Sequence, residues 1–185
     1  MLFETGQFGC ENPVILQRTL WWYLSMHFGF RARDESRKLC WGDIKLEKDV
    51  ESGREVLIWV AERGTKTRQG LEGGHQRQFN PKLFATGTDK CPVLFYHIFE
   101  SHRPEATKKP DSPFFLAVNH KTWCQSQFWY KKAPLGKNEI GKFMTDAAKQ
   151  AGLTTKGSKL ANHSVRKTGI SAFLKVESLR TLWPN

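Results

Sequence analysis

From Val14 to Phe28 the chain is apolar on nearly every side of a helix, with Leu16, Leu20, Trp21, Leu24 and Phe28 at helical spacing. Such a helix has no polar face to give to water, so the rest of the fold must wrap around it. Its ends are written in the sequence. Asn12 is a good N-cap, Pro13 suits the first helical position, and Gly29 suits the left-handed residue that ends a helix. A second short helix is predicted from Arg33 to Cys40, before Trp41-Gly42-Asp43. The period then changes. Ile44, Leu46 and Lys48 begin a strand, residues 51–54 read as a turn, and Glu55–Ala61 reads as a central strand. Residues 63–70 read as a basic hairpin tip, and residues 76–79 as a third strand.

Helical patterns return afterwards. Pro92–Ser101 reads as a helix, residues 102–112 with Pro104 and Pro110 as a loop, and Phe114–Val118 as a short strand or buried loop. Lys137–Ala151 carries the stripe Ile140, Phe143, Met144, Ala147, Ala148 and Ala151, with Gly152 as its terminator. Asn162 is expected to cap a last helix from His163 to Lys175. The class is α+β, mostly helical, with a small central antiparallel hairpin sheet. Trp41, between the second helix and the sheet, is expected to be buried.

At 185 residues the chain reads as one domain, residues 1–175, with a divergent tail over 176–185. No run of about 18 apolar residues is present, so no membrane span is expected. The first residues lack the basic start of a secretory signal. Cys10, Cys40, Cys91 and Cys124 are too scattered for a zinc site or disulfide framework and read as reduced, mostly buried thiols. Charge carries more information. The net charge is +11, and residues 131–185 hold 11 basic against 3 acidic residues, while residues 1–60 hold 8 against 9. A basic C-terminal third is the sequence footprint of a polyanion-binding face.

Three basic clusters stand far apart: Arg31 and Arg33 between the first two helices, Lys66 and Arg68 at the hairpin tip, and His163, Arg166 and Lys167 at a helix start. His163 and Arg166 are three apart and share a helix face. Arginines clamp a phosphodiester bidentately, a helix start adds partial positive charge, and a lysine can donate a proton.

The order Gly29-Phe30-Arg31, Trp41-Gly42-Asp43, Lys66 on a hairpin and His163-x-x-Arg166 resembles the catalytic domain of tyrosine recombinases, the DNA breaking–rejoining fold of phage integrases. HFGFRARDESRKLCWGDI, ERGTKTRQG, KCPVLFYHIFESHRP, PLGKNEIGKFM and ANHSVRKT are similar to the subfamily derived from Crypton transposons. Versions of it sit at the C-termini of zinc finger MYM-type proteins and of a glutamine-rich nuclear protein. The resemblance covers Glu4 to Ser171. It implies a recombinase catalytic-core fold, a phosphate-binding set of Arg31, Lys66, His163 and Arg166, and further nucleic-acid contacts at Arg33, Arg68, Lys156, Lys159 and Lys167. It also implies a nuclear location, DNA or chromatin proteins as partners, and no metal or small-molecule cofactor. Arg31 and Arg33 compete for the first arginine; Arg31 fits the Gly-hydrophobic-Arg pattern. Arg31, His163 and Arg166 are expected to converge on one concave surface.

The sequence also departs from that family. The family's nucleophile is a tyrosine downstream of His-x-x-Arg, and the tyrosines here are Tyr23, Tyr96 and Tyr130, all upstream. Tyr23 reads as part of the buried first helix and Tyr96 as part of an apolar helix. Tyr130, the remaining substitute, reads as packing or loop. The family's helical DNA-clamping domain is also missing. The expectation is therefore a truncated or domesticated copy that binds DNA or chromatin without cleaving strands, since covalent catalysis needs a nucleophile. The alternatives are a fragment of an active Crypton-type recombinase and a protein-interaction domain of a transcriptional co-regulator.

Overall fold

The computed structural model describes residues 1–30, 32–60, 80–153, 161–165 and 167–168, and the side chains of all of these except 32–34. Helix α1 spans Pro13–Phe28. Asn12 Oδ1 accepts from the Val14 and Ile15 amides, both at 3.0 Å, and Gly29 closes the helix at φ 71°. That left-handed conformation strains residues with a Cβ, which is why glycine stands there. As expected from its all-round apolar pattern, α1 is the central element of the core, with Leu16, Leu20, Trp21 and Leu24 wholly buried. Its polar residues are drawn in as well. Buried Gln17 uses both amide atoms on the backbone of Leu116, accepting from its N–H at 2.8 Å and donating to its carbonyl at 2.9 Å.

Helix α2 (Ala32–Lys38) ends before Cys40, two residues earlier than expected, because Cys40 forms a β-bridge with Pro113. Strands β1 (Ile44–Lys48), β2 (Glu55–Trp59) and β3 (Lys82–Phe84) make an antiparallel sheet in that order, with Leu46 opposite Leu57 and Leu57 opposite Leu83. The sheet is thus the small antiparallel one expected. The hairpin tip at 63–70 and the strand expected at 76–79 lie outside the described residues. Helix α3 (Pro92–Ser101) has the expected bounds, and the 102–112 loop contains one short 3₁₀ turn at Glu105–Thr107.

Strand β4 (Leu116–Val118) pairs antiparallel with β5 (Tyr130–Pro134), so the segment expected as packing or loop is a strand. Tyr130 does pack: its side chain is buried and its hydroxyl donates to the Pro13 carbonyl at 3.3 Å. Helix α4 (Lys137–Gln150) buries Ile140, Phe143, Met144, Ala147 and Ala148, the stripe read from the sequence. It ends in a Schellman motif, with Leu153 N–H on the Ala148 carbonyl at 2.8 Å and Gly152 N–H on that of Lys149 at 3.2 Å.

Three further expectations are corrected. Residues 162–165 are helical, but the Asn162 side chain does not cap them; it reaches across to α4. Tyr23 is half-buried, and its hydroxyl donates to the Lys90 carbonyl. Of the cysteines only Cys91 is buried; Cys10 and Cys40 are half-buried and Cys124 is exposed. Among the described residues no helix is long and apolar enough to cross a membrane.

Candidate nucleic-acid interface

Arg31, Lys66, Arg68, Lys156, Lys159 and Arg166 lie outside the described residues, and Arg33 is described only as part of α2. His163 and Lys167 are described, and both are exposed. What the structure gives directly is the anchoring of the segments that carry the two arginines of the motif.

The residue before Arg31 is Phe30. It is 2% exposed and stands edge-on to Trp59 of β2, with ring centroids 4.8 Å apart at 87°. Trp21 of α1 donates through its indole N–H to the Ser36 hydroxyl of α2 at 2.9 Å and meets Phe143 of α4 at 5.8 Å. The residue before Arg166 is Val165, 3% exposed. Three positions earlier, Asn162 donates to the Ile140 carbonyl at 2.6 Å and accepts from the Met144 amide at 3.1 Å, which fastens this run to α4. Phe30 and Val165 belong to one buried apolar cluster although 135 positions separate them. One core therefore holds both segments, the first against Trp59 of β2 and the second against α4.

The surface charge is organised unevenly. Lys82 pairs with Asp49 at 2.9 Å, His97 with Glu55 at 3.1 Å and Lys108 with Glu105 at 2.6 Å. Lys131 and Lys132 of β5 and Lys142 and Lys149 of α4 are exposed, and none pairs with a described carboxylate; the same holds for Lys38, Lys45, Lys48 and Lys109. Unpaired lysines on adjoining elements raise the local potential, which attracts phosphates.

All three tyrosines are shifted upward from their ordinary pKa. Burial raises Tyr130 well above its ordinary pKa of 10. Burial, then the charge of Glu100, raises Tyr96. Tyr23 is pushed up to about 12 by burial, with Cys91 and Asp89 adding to it.

Two features escape a reading of the sequence alone. The first is Arg103, wholly buried, which donates to the carbonyls of Thr107, Pro113 and Phe114 and lies 4.3 Å from the ring of Trp41. Around it Trp41-Gly42-Asp43 forms a joint. Trp41 N–H donates to the Ser112 carbonyl at 2.8 Å, Gly42 N–H to that of Pro110 at 3.0 Å, and Asp43 accepts from the Cys40 amide at 2.8 Å. A Cβ on Gly42 would stand 2.9 Å from Pro110 Cα, so this approach requires glycine. The second is the loop 119–129, whose only sequence signal is a stretch from Ser112 to Asn138 that contains no Asp or Glu.

Fold and surface together define an α+β domain with exposed, unpaired lysines on β5 and α4 among its described residues. The family model described as "Domain of unknown function (DUF3504)" matches residues 1–149, and the chain belongs to that family. It is 25% identical over 156 residues to "Uncharacterized protein KIAA1958" of Homo sapiens, covering 82% of this chain and 21% of that protein. It is 22% identical over 151 residues to zinc finger MYM-type protein 3 of Homo sapiens, covering 75% of this chain and 11% of that protein. Zinc finger MYM-type protein 2 of Mus musculus is 20% identical over 151 residues, with the same coverage of 75% and 11%. The chain thus spans about a fifth or less of the length of these relatives. No solved structure matches it.

Proposed function

We propose that this chain is a recombinase-derived nuclear module that binds DNA or chromatin through a retained phosphate-binding face and does not cleave strands. The observation that carries the reading is the burial in one apolar core of Phe30, which precedes Arg31, and Val165, which precedes Arg166, with Asn162 tying the second segment to α4. A motif dispersed over the chain keeps a joint function only if the fold ties its parts together. The unpaired lysines of β5 and α4 supply the surrounding field, and relatives named for MYM-type zinc fingers agree with a nuclear setting. Tyr130 supports the non-cleaving part, since it is buried and its hydroxyl donates to the Pro13 carbonyl.

Fluorescence anisotropy with a short duplex tests the binding. The expected dissociation constant is on the order of 10⁻⁴–10⁻⁶ M, weakening steeply with salt, with Arg31→Ala/Arg166→Ala weaker still. Absence of binding at low salt would replace this reading with that of a protein-interaction domain. On a nicked suicide duplex no covalent adduct is expected. An adduct that survives denaturing electrophoresis and vanishes in Tyr130→Phe would make the chain part of an active recombinase.

A further inference from the structure

The loop 119–129 between β4 and β5 is closed upon itself. Asn119 N–H donates to the Trp129 carbonyl at 2.9 Å, and the Asn119 carbonyl accepts from Thr122 and Trp123 at 3.2 and 3.1 Å. His102, at the end of α3, grips the loop from the side. Its carbonyl accepts from Trp129 N–H at 3.0 Å, its Nδ1 donates to the Gln127 carbonyl at 2.7 Å, and its ring stacks on Trp129 at 3.6 Å and 8°. Trp123 meets Trp129 edge-on at 5.7 Å. These contacts hold the loop in one shape, and in that shape Phe128 is 38% exposed. It is the one Phe, Trp or Tyr that stands in the open among the described residues. An ordered loop that presents an apolar ring forgoes the stabilisation of burying it. The flanking residues match a polyanion: Lys121, Lys131 and Lys132 are exposed, and no carboxylate occurs from Ser112 to Asn138.

An exposed aromatic ring flanked in sequence by unpaired lysines suits unpaired nucleotides. Their bases offer a free π-face to the ring, and their phosphates offer charge to the ammonium groups; in a duplex those faces are already stacked on one another. We infer that the 119–129 loop is a stacking platform for single-stranded DNA, with Phe128 as its contact ring and Lys131 and Lys132 as phosphate contacts. The inference rests on the nucleic-acid-binding reading above and extends it to the state of the strand that is bound.

The test is an anisotropy titration of the full chain with a labelled thymidine oligomer of about 10 nucleotides and, in parallel, a duplex of the same length. Phe128→Ala should weaken oligomer binding roughly fivefold to a hundredfold while duplex binding changes less than about twofold. Phe128→Leu, which keeps apolar bulk and removes the π-face, should behave like Phe128→Ala. It also serves as the variant to read if the alanine form does not fold. Lys131→Glu/Lys132→Glu should flatten the salt dependence of oligomer binding. Oligomer binding untouched in Phe128→Leu, or duplex binding without oligomer binding, overturns the platform and leaves the duplex reading standing. Failure to bind either nucleic acid at low salt overturns both.

Discussion

His102 and Arg103 are neighbours at the end of α3, and each faces the ring of a tryptophan, His102 at 3.6 Å from Trp129 and Arg103 at 4.3 Å from Trp41. The surroundings of the two pairs differ. Trp41 is sandwiched among Tyr96 at 5.2 Å, Phe114 at 5.6 Å and Arg103, whose guanidinium is wholly buried and satisfied by three backbone carbonyls. Burial lowers the Arg103 pKa to about 10, against the raising effect of Tyr96 and Tyr130. Trp129 is half-buried on a loop, beside an exposed phenyl ring and unpaired lysines. One pair thus closes the core, and the other lies at a surface that stays open. A buried cation over an aromatic ring needs every donor matched, whereas a half-buried ring pair at the surface leaves its neighbours free for a ligand.

Substitutions can break or sharpen this contrast, and the largest effect belongs to the buried pair. Trp41→Ala should destabilise the domain by about 3–5 kcal/mol, as truncation of a buried aromatic does. Against a total stability of roughly 5–15 kcal/mol that is close to unfolding, and chemical denaturation measures it. An unchanged midpoint would put Trp41 outside the core. Arg103→Met keeps the bulk and removes the donors to the Thr107, Pro113 and Phe114 carbonyls; a loss of about 3 kcal/mol is expected in the same assay. A neutral result would make the cluster purely a matter of packing. Asn162→Leu removes two buried hydrogen bonds to the α4 backbone and should cost about 1–2 kcal/mol. It should also weaken duplex binding if the anchoring on α4 positions Arg166.

Smaller effects are expected on the open side. Asp49 is held down to about pH 2, chiefly by Lys82 and then by Ser52, from an ordinary 3.8. A depressed carboxylate stabilises the fold above its unfolded pKa, and that contribution disappears as pH falls through about 4 to 2. Asp49→Asn should remove this part of the acid sensitivity of the melting curve, with its small cost seen at neutral pH and gone near pH 2. Phe128→Ala should shift stability by no more than about 0.5 kcal/mol, because its ring supports no core contact that truncation would empty. A large loss of stability there would turn the open cluster into a second structural one.

Where signals are local, the sequence is legible. Asn12, Pro13 and Gly29 bound α1, Pro92 opens α3, and the Ile140–Ala148 stripe declares α4, because caps and periodicity act within a few residues. The strand β5 is not legible, since Tyr-Lys-Lys-Ala-Pro has little strand pattern and exists through pairing with β4. Asn162 has the residue type of a cap but is used across the core, and Arg103 looks in sequence like any loop arginine. The basic motif is legible as a pattern of residue types; its joint anchoring is not, because Phe30 and Val165 meet the same cluster only after folding.

By itself, then, the sequence determined α1, α3 and α4 with their ends, strands β1 and β2, and the bias of positive charge toward the C-terminal third. These depend on backbone conformation and composition, which are properties of neighbours along the chain. Only the tertiary structure decided which polar groups are buried and which rings stay open. Burial depends on what distant segments bring, and the adjacent residues His102 and Arg103 are separated in role by nothing more local than the carbonyls and rings that reach them.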